Sequence, residues 1–312
     1  MNTKLQSLLD AVNGVYPGEV LVRVGAQAKG EWQPGMVEQS VLGTRLLVEL
    51  PDATAADFQI GDSLLQMLLS FNNAVPQIFF ALTFNEQALD EQLIAYATRL
   101  YQTVMHAITY PELAKKDLLT ADVKQSYLAG LQAAITPETG DIDDESLWRL
   151  VHLLDAQVLF AKDKAVLADL QTAYPLAFKA SADLMAPILA EDLTQGRLVR
   201  KRIVGLFAGV DDVLTSWGKP TLNAREYVTL SSVFSERQLS LPVKQVFDIY
   251  HSEMLDFRTQ ARAFVGLNKS DHQNSFAVSA PTDGQSPAFF TELYALTVKE
   301  LFEQLGLPYM TR

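Results

Sequence analysis

Residues 46–70 read LLVELPDATAADFQIGDSLLQMLLS. Ile60, Leu64, Leu65, Leu68 and Leu69 repeat at three and four residues, the spacing of a helix with one apolar face. Asp62 and Gln66 stand four apart, so they share another face of that helix, with Ser63 beside Asp62. This is the spacing at which two side chains reach one metal ion. The residue types limit that chemistry. A carboxylate suits a hard cation, but an amide is a poor zinc ligand and a serine hydroxyl is no general base. Glu86 follows 20 residues after Gln66 in NEQALDEQ (85–92), in which Asp90 and Glu91 are competing carboxylates.

The chain has four histidines, His106, His152, His251 and His272, and no two are four residues apart. No helix therefore carries the two-histidine half of HExxH. His106 falls on the helix side of Arg99 and Gln102, away from a stripe of Leu89, Leu93, Ala97, Leu100 and Val104. That places it toward solvent or a pocket. His152 has Asp155 three residues on, a spacing that supports a His–Asp hydrogen bond on one helix. Glu253, two residues after His251, points to a different side, and His272 lies in a polar stretch. The GxSxG elbow, GxGxxG and GxxxxGK[ST] are all absent, which argues against the common serine hydrolases, kinases and nucleotide-dependent dehydrogenases.

These residues need elements to hold them. Residues 1–14 read as an amphipathic helix. EVLVRVG (19–25) and MVEQSVLGTRLLVEL (36–50) read as strands of a small antiparallel sheet, with Gly43 at a turn. VPQIFFAL (75–82) is a candidate fourth strand. Beyond Tyr110 helices are expected over 120–135, 144–161, 164–190, 197–216, 242–257 and 287–305, with a long surface loop over 267–287. DIDDES (141–146) lacks the glycine and closing glutamate of a calcium loop, so its acids are expected at a helix start. RLVRKR (197–202) is expected to be a solvated helix face.

The 312 residues are 48% apolar, enough for a sizeable core, and contain no cysteine, so disulfides and Cys-ligated zinc are ruled out. A net charge of −12 opposes general nucleic-acid binding. The longest apolar runs, such as IFFAL, fall far short of the roughly 20 residues of a membrane span. With no signal-peptide core at the amino terminus, a cytoplasmic protein is the expectation.

The stretch LLVELPDATAADFQIGDSLLQML resembles the strand, Pro-containing turn and active-site helix of zincin-like domains of the ImmA/IrrE metallopeptidase group. Asp62, Ser63 and Gln66 stand where that group has His, Glu and His. NEQALDEQLIAYATRLY (85–101) is similar to the second helix, and its NEQALD to the NExxxD that supplies the third ligand in thermolysin-like enzymes. More faintly, the rest of the chain resembles a bacterial family labelled IpaB/EvcA. The resemblance implies an α+β fold: a zincin-like region with a small antiparallel sheet over 1–115, then a mainly helical region over 116–312. With both histidines and the general-base glutamate replaced, it implies a non-catalytic cleft that binds a peptide or protein and needs no cofactor. Phe79, Phe80 and Tyr101 are candidates to line that groove. An alternative is a metal-dependent hydrolase built on Asp62, Glu86 and His106 with zinc or another divalent ion. A third reading is a helical scaffold or oligomerisation protein using WRLVHLLDAQVLF and FFTELYALTVKELFEQLGL.

Overall fold

The structure is a computed structural model that describes residues 2–279, 281 and 286–312. The fold class is α+β, and the chain divides into two compact units. One is Met1–Asn72 with Gln102–Asp192, the other Asn73–Tyr101 with Leu193–Arg312. The chain thus passes between units three times, and residue 115 falls inside the first unit rather than at its edge.

In the first unit, helix α1 (Thr3–Asn13) is capped by the Asn2 side chain and buries Leu5, Leu8 and Val12. Strands β1 (Glu19–Gln27), β2 (Glu38–Leu42) and β3 (Arg45–Asp52) form a sheet in the order β1-β3-β2. The sheet is mixed, which corrects the antiparallel expectation. β2 and β3 form a hairpin around Gly43, whose φ of 65° suits glycine, but β1 runs parallel to β3. The long connection through residues 28–44 allows it, since a parallel pair needs a crossover of about a dozen residues or more. β3 is central and reads as a nearly continuous apolar run; Leu46, Leu47, Val48 and Leu50 are all buried.

Helices α2 (Ala56–Phe71), α3 (Gln87–Lys115), α4 (Ala121–Ala134), α5 (Ser146–Leu159), α6 (Lys164–Ala173) and α7 (Pro175–Leu189) follow, with α3 joining this unit from Gln102 onward. The expected helix 164–190 is two helices because Pro175 takes the first position of α7, where its missing N–H costs nothing. The acids of 141–146 do stand at a helix start, and they also hold a buried cation. Arg149 donates to Asp143 at 2.7 Å and to Glu145 at 3.0 Å. WRLVHLLDAQVLF forms most of α5, where every residue from Arg149 to Leu159 is buried.

In the second unit, VPQIFFAL holds the short strand β4 (Ile78–Phe79) and the first residue of β5 (Leu82–Thr83). Helix α8 (Gly196–Ser216) leads into the short α9 (Ala224–Tyr227), β6 (Thr229–Leu230), β7 (Val233–Phe234), α10 (Glu236–Leu239) and α11 (Val243–Val246). Strands β8 (Phe247–Asp256), β9 (Arg262–Asn268) and β10 (Asn274–Ser279) then form an antiparallel sheet with β5, in the order β10-β9-β8-β5. Helices α12 (Ser286–Ala295) and α13 (Val298–Leu305) and strand β11 (Met310–Thr311) close the chain.

Three expectations are corrected here. The helix expected over 242–257 is mostly β8. The surface loop expected over 267–287 holds the β9–β10 turn and β10; residues 280 and 282–285 of that stretch lie outside the described residues. Asn268 and Asp271 close the turn by accepting the backbone N–H of Ser270 and Gln273, so a polar composition marks a tight hairpin. Arg200 of RLVRKR is not solvated: it is buried and paired with Asp271 at 2.8 Å. Phe234, Phe247, Phe276 and Phe302 form the core of this sheet, and Val298, Leu301 and Phe302 of the carboxy-terminal helices are spent on it. Among the described residues, no helix is long and apolar enough to cross a membrane.

Candidate functional site

The turn before α2 is built by Asp52, whose carboxylate accepts the backbone N–H of Thr54 at 2.8 Å and of Lys29 at 3.2 Å. Ala55 takes the left-handed conformation, φ 52°, and α2 begins without a side-chain cap. The helix buries Phe58, Ile60, Leu64 and Met67. At Gly61 it packs so closely on α3 that a Cβ there would lie 3.0 Å from the Leu113 side chain. That approach brings the next residue, Asp62, to the face of α3 carrying His106 and Thr109.

His106 is 3% exposed and lies between two carboxylates. Its Nδ1 is 2.5 Å from Asp155 Oδ1 and its Nε2 is 3.3 Å from Asp62 Oδ2. A neutral imidazole has one N–H and would turn a lone pair toward one of these anions. The arrangement therefore holds the imidazolium. Burial alone lowers the pKa of His106, but the charges of Asp155 and Asp62 outweigh it and raise the value from 6.5 to about 10. Tyr110 stacks on the ring, with centroids 4.4 Å apart and planes at 11°. Burial, then the same two carboxylates, push the Tyr110 hydroxyl pKa well up. Asp62 has further partners: Gln66 Nε2 donates to Oδ2 at 2.7 Å and the Thr109 hydroxyl donates to Oδ1.

Asp62 is part of the wall of a pocket of about 70 Å³. That exceeds the roughly 10–15 Å³ one water needs and falls below the roughly 300 Å³ of a drug-sized site. The amides of Gln39, Gln59, Gln66 and Gln102 and the hydroxyl of Ser63 supply its polar lining. Trp32, Phe58 and Tyr110 supply aromatic surface and contact one another in series, Trp32–Phe58 at 5.3 Å and Phe58–Tyr110 at 5.1 Å. Gln39 reaches in from β2 and donates to Ser63 Oγ at 3.2 Å.

The pocket thus gathers four residues singled out in the sequence: Asp62, Ser63, Gln66 and His106. Glu86, Asp90 and Glu91 belong to the second unit and are not part of its wall. Glu86 and Glu91 are exposed there, while Asp90 fixes the start of α3 by accepting from the Thr83 hydroxyl at 2.5 Å and the Phe84 backbone N–H at 3.0 Å. The second unit also holds Phe79, Phe80 and Tyr101. His152 does not pair with Asp155: its Nδ1 lies 2.9 Å from the Trp148 carbonyl and its Nε2 3.3 Å from Gln33 Oε1. His251 and His272 are exposed.

Three members of the His106 network, and the lining residues Trp32, Gln39, Phe58, Gln59 and Gln102, were not assigned to this site from the sequence. Thr109 and Tyr110 stand three and four residues after His106, a legible same-face signal. Asp155 is a lone carboxylate in an apolar run, which signals a buried partner without naming it.

Chemically, His106 is fully committed. Both ring nitrogens of His106 face carboxylates, so neither lone pair is free for a metal or a proton. Among the described residues, no group of three or more His, Asp or Glu side chains is placed to hold a metal ion. Comparison with known protein families, characterised proteins and solved structures finds no match to this chain.

Proposed function

We propose that the first unit is the binding part of a non-catalytic cytoplasmic protein. Its degenerate metallopeptidase-like cleft takes an extended peptide or protein segment. The observation that carries this reading is the edge of the sheet beside the pocket. β2 is an edge strand, all five of its residues are exposed, and Val41 and Leu42 are 69% and 53% exposed. An open apolar edge adds a further strand readily. Gln39 and Val41 lie on the same face of β2, because side chains alternate along a strand. That face is the one from which Gln39 reaches Ser63, so a strand laid along β2 passes the pocket mouth. The amide-rich lining suits recognition, and the committed state of Asp62 and His106 leaves no free base or nucleophile among them.

The test is a library of extended heptapeptides screened against the purified chain, with backbone amide shifts mapped by NMR. Binding is expected to shift β2 amides first. Val41→Lys and Leu42→Lys should weaken it at least tenfold without changing the melting temperature. Three results would overturn the proposal: peptide-induced shifts that avoid β2, near-stoichiometric zinc or manganese that chelation removes and Asp62→Asn abolishes, or no peptide binding at all. The second would favour a metal-dependent hydrolase.

A further inference from the structure

The geometry points to a cationic group, an ammonium or guanidinium, as what the pocket beside β2 accepts. This rests on the peptide-binding reading for its biological source but not for its chemistry. Asp62, Asp155 and the His106 imidazolium together carry one net negative charge. Among the described residues forming the pocket wall, none is Lys or Arg to offset it. A charge surrounded by protein is poorly screened, so the unbalanced anion favours a cation at the mouth over a neutral or anionic group.

Asp62 is the member of the network that the pocket reaches, with its side chain 14% exposed. A carboxylate offers about four lone-pair sites. Thr109, Gln66 and His106 occupy three of those on Asp62, leaving one for a ligand N–H. The amide oxygens of the pocket glutamines can accept the ligand's remaining N–H groups. The volume of about 70 Å³ fits the end of a Lys or Arg side chain rather than a whole small molecule.

The experiment uses methylguanidinium chloride as probe, with methylurea as its near-isosteric neutral control and acetate as the anion. Side-chain amide signals of Gln39, Gln59, Gln66 and Gln102 are followed by NMR on the full chain. Methylguanidinium should shift them saturably, at least tenfold more tightly than methylurea, and acetate should leave them unmoved. Gln39→Glu, which adds a second carboxylate at an exposed position of the pocket wall where the Ser63 hydroxyl can donate to it, should tighten binding. Gln102→Lys, which supplies an internal cation from a half-buried position, should abolish it. Both variants avoid the buried core of the network, so folding failure is not expected to obscure the outcome. Equal shifts from methylguanidinium and methylurea, or unchanged binding in Gln102→Lys, would overturn the inference. Methylguanidinium binding with no peptide binding at all would support the cation pocket and reject the peptide reading. In the heptapeptide library, a central Lys or Arg should outbind Gln, Leu and Glu; a preference for Glu would overturn the inference.

Discussion

At the scale of single residues, His106 sets the electrostatics of the first unit. Its folded pKa, about 10, lies above its ordinary value of 6.5. The imidazolium therefore contributes stability fully below about pH 6.5, and that contribution is lost as pH rises through about 10. A urea midpoint measured at pH 6 and at pH 9.5 should fall between the two. His106→Asn should lose most of that slope; an identical slope in the variant would reject this account. His106→Ala leaves Asp62 and Asp155 buried without their shared cation, a change expected to cost about 3–5 kcal/mol. Asp62→Ala removes the acceptor of Thr109, Gln66 and His106, and should cost about 1–3 kcal/mol in denaturant unfolding. A loss within about 0.5 kcal/mol, typical of a surface site, would mean the network is not formed.

At the scale of elements, close approaches set the pocket. Gly130 of α4 lies against the Trp32 backbone, where an added Cβ would meet the Trp32 carbonyl oxygen at 2.3 Å. Backbone cannot swing aside as a side chain can. Gly130→Ala gains about 1 kcal/mol of helix propensity but incurs overpacking of about 1–3 kcal/mol. The net expectation is a modest loss of stability and a displaced Trp32, visible as a change in tryptophan fluorescence. An unchanged spectrum and midpoint would contradict that packing. The helical segments of the first unit were legible in the sequence because their apolar residues recur with helical spacing. β8 was not. FDIYHSEMLD carries apolar residues at both strand and helix spacings, and its pairing with β9 decides between them. The parallel register of β1 on β3 was likewise illegible, since periodicity gives the face of a strand but not the direction of its neighbour.

At the scale of the whole molecule, the order of the chain does not follow the order of its units. The first unit needs residues 102–192, and α5 supplies both Asp155 to the His106 network and a fully buried stretch of core. A fragment of residues 1–115 is therefore expected to stay unfolded, with collapsed amide dispersion by NMR and no cooperative thermal transition. A cooperatively folded 1–115 fragment would show instead that α4 to α7 are dispensable. Composition speaks only to this scale too: a net charge of −12 bears on solubility and partners, not on where any charge sits.

The α+β class, the strand–turn–helix leading to Asp62, and the face shared by Asp62 and Gln66 were legible in the sequence. All of these follow from local periodicity and turn chemistry. The sequence also flagged His106 as facing away from the Leu stripe. The pairing of Asp155 with His106 rather than with the nearer His152 comes from packing in three dimensions. Asp155 lies on a helix buried on every side, so proximity in sequence is one claim among several on its carboxylate. The packing of α5 presents that carboxylate to α3, and a buried anion takes the cation it can reach in space. Asp62 belongs to the first unit and Glu86, Asp90 and Glu91 to the second, although sequence spacing groups them.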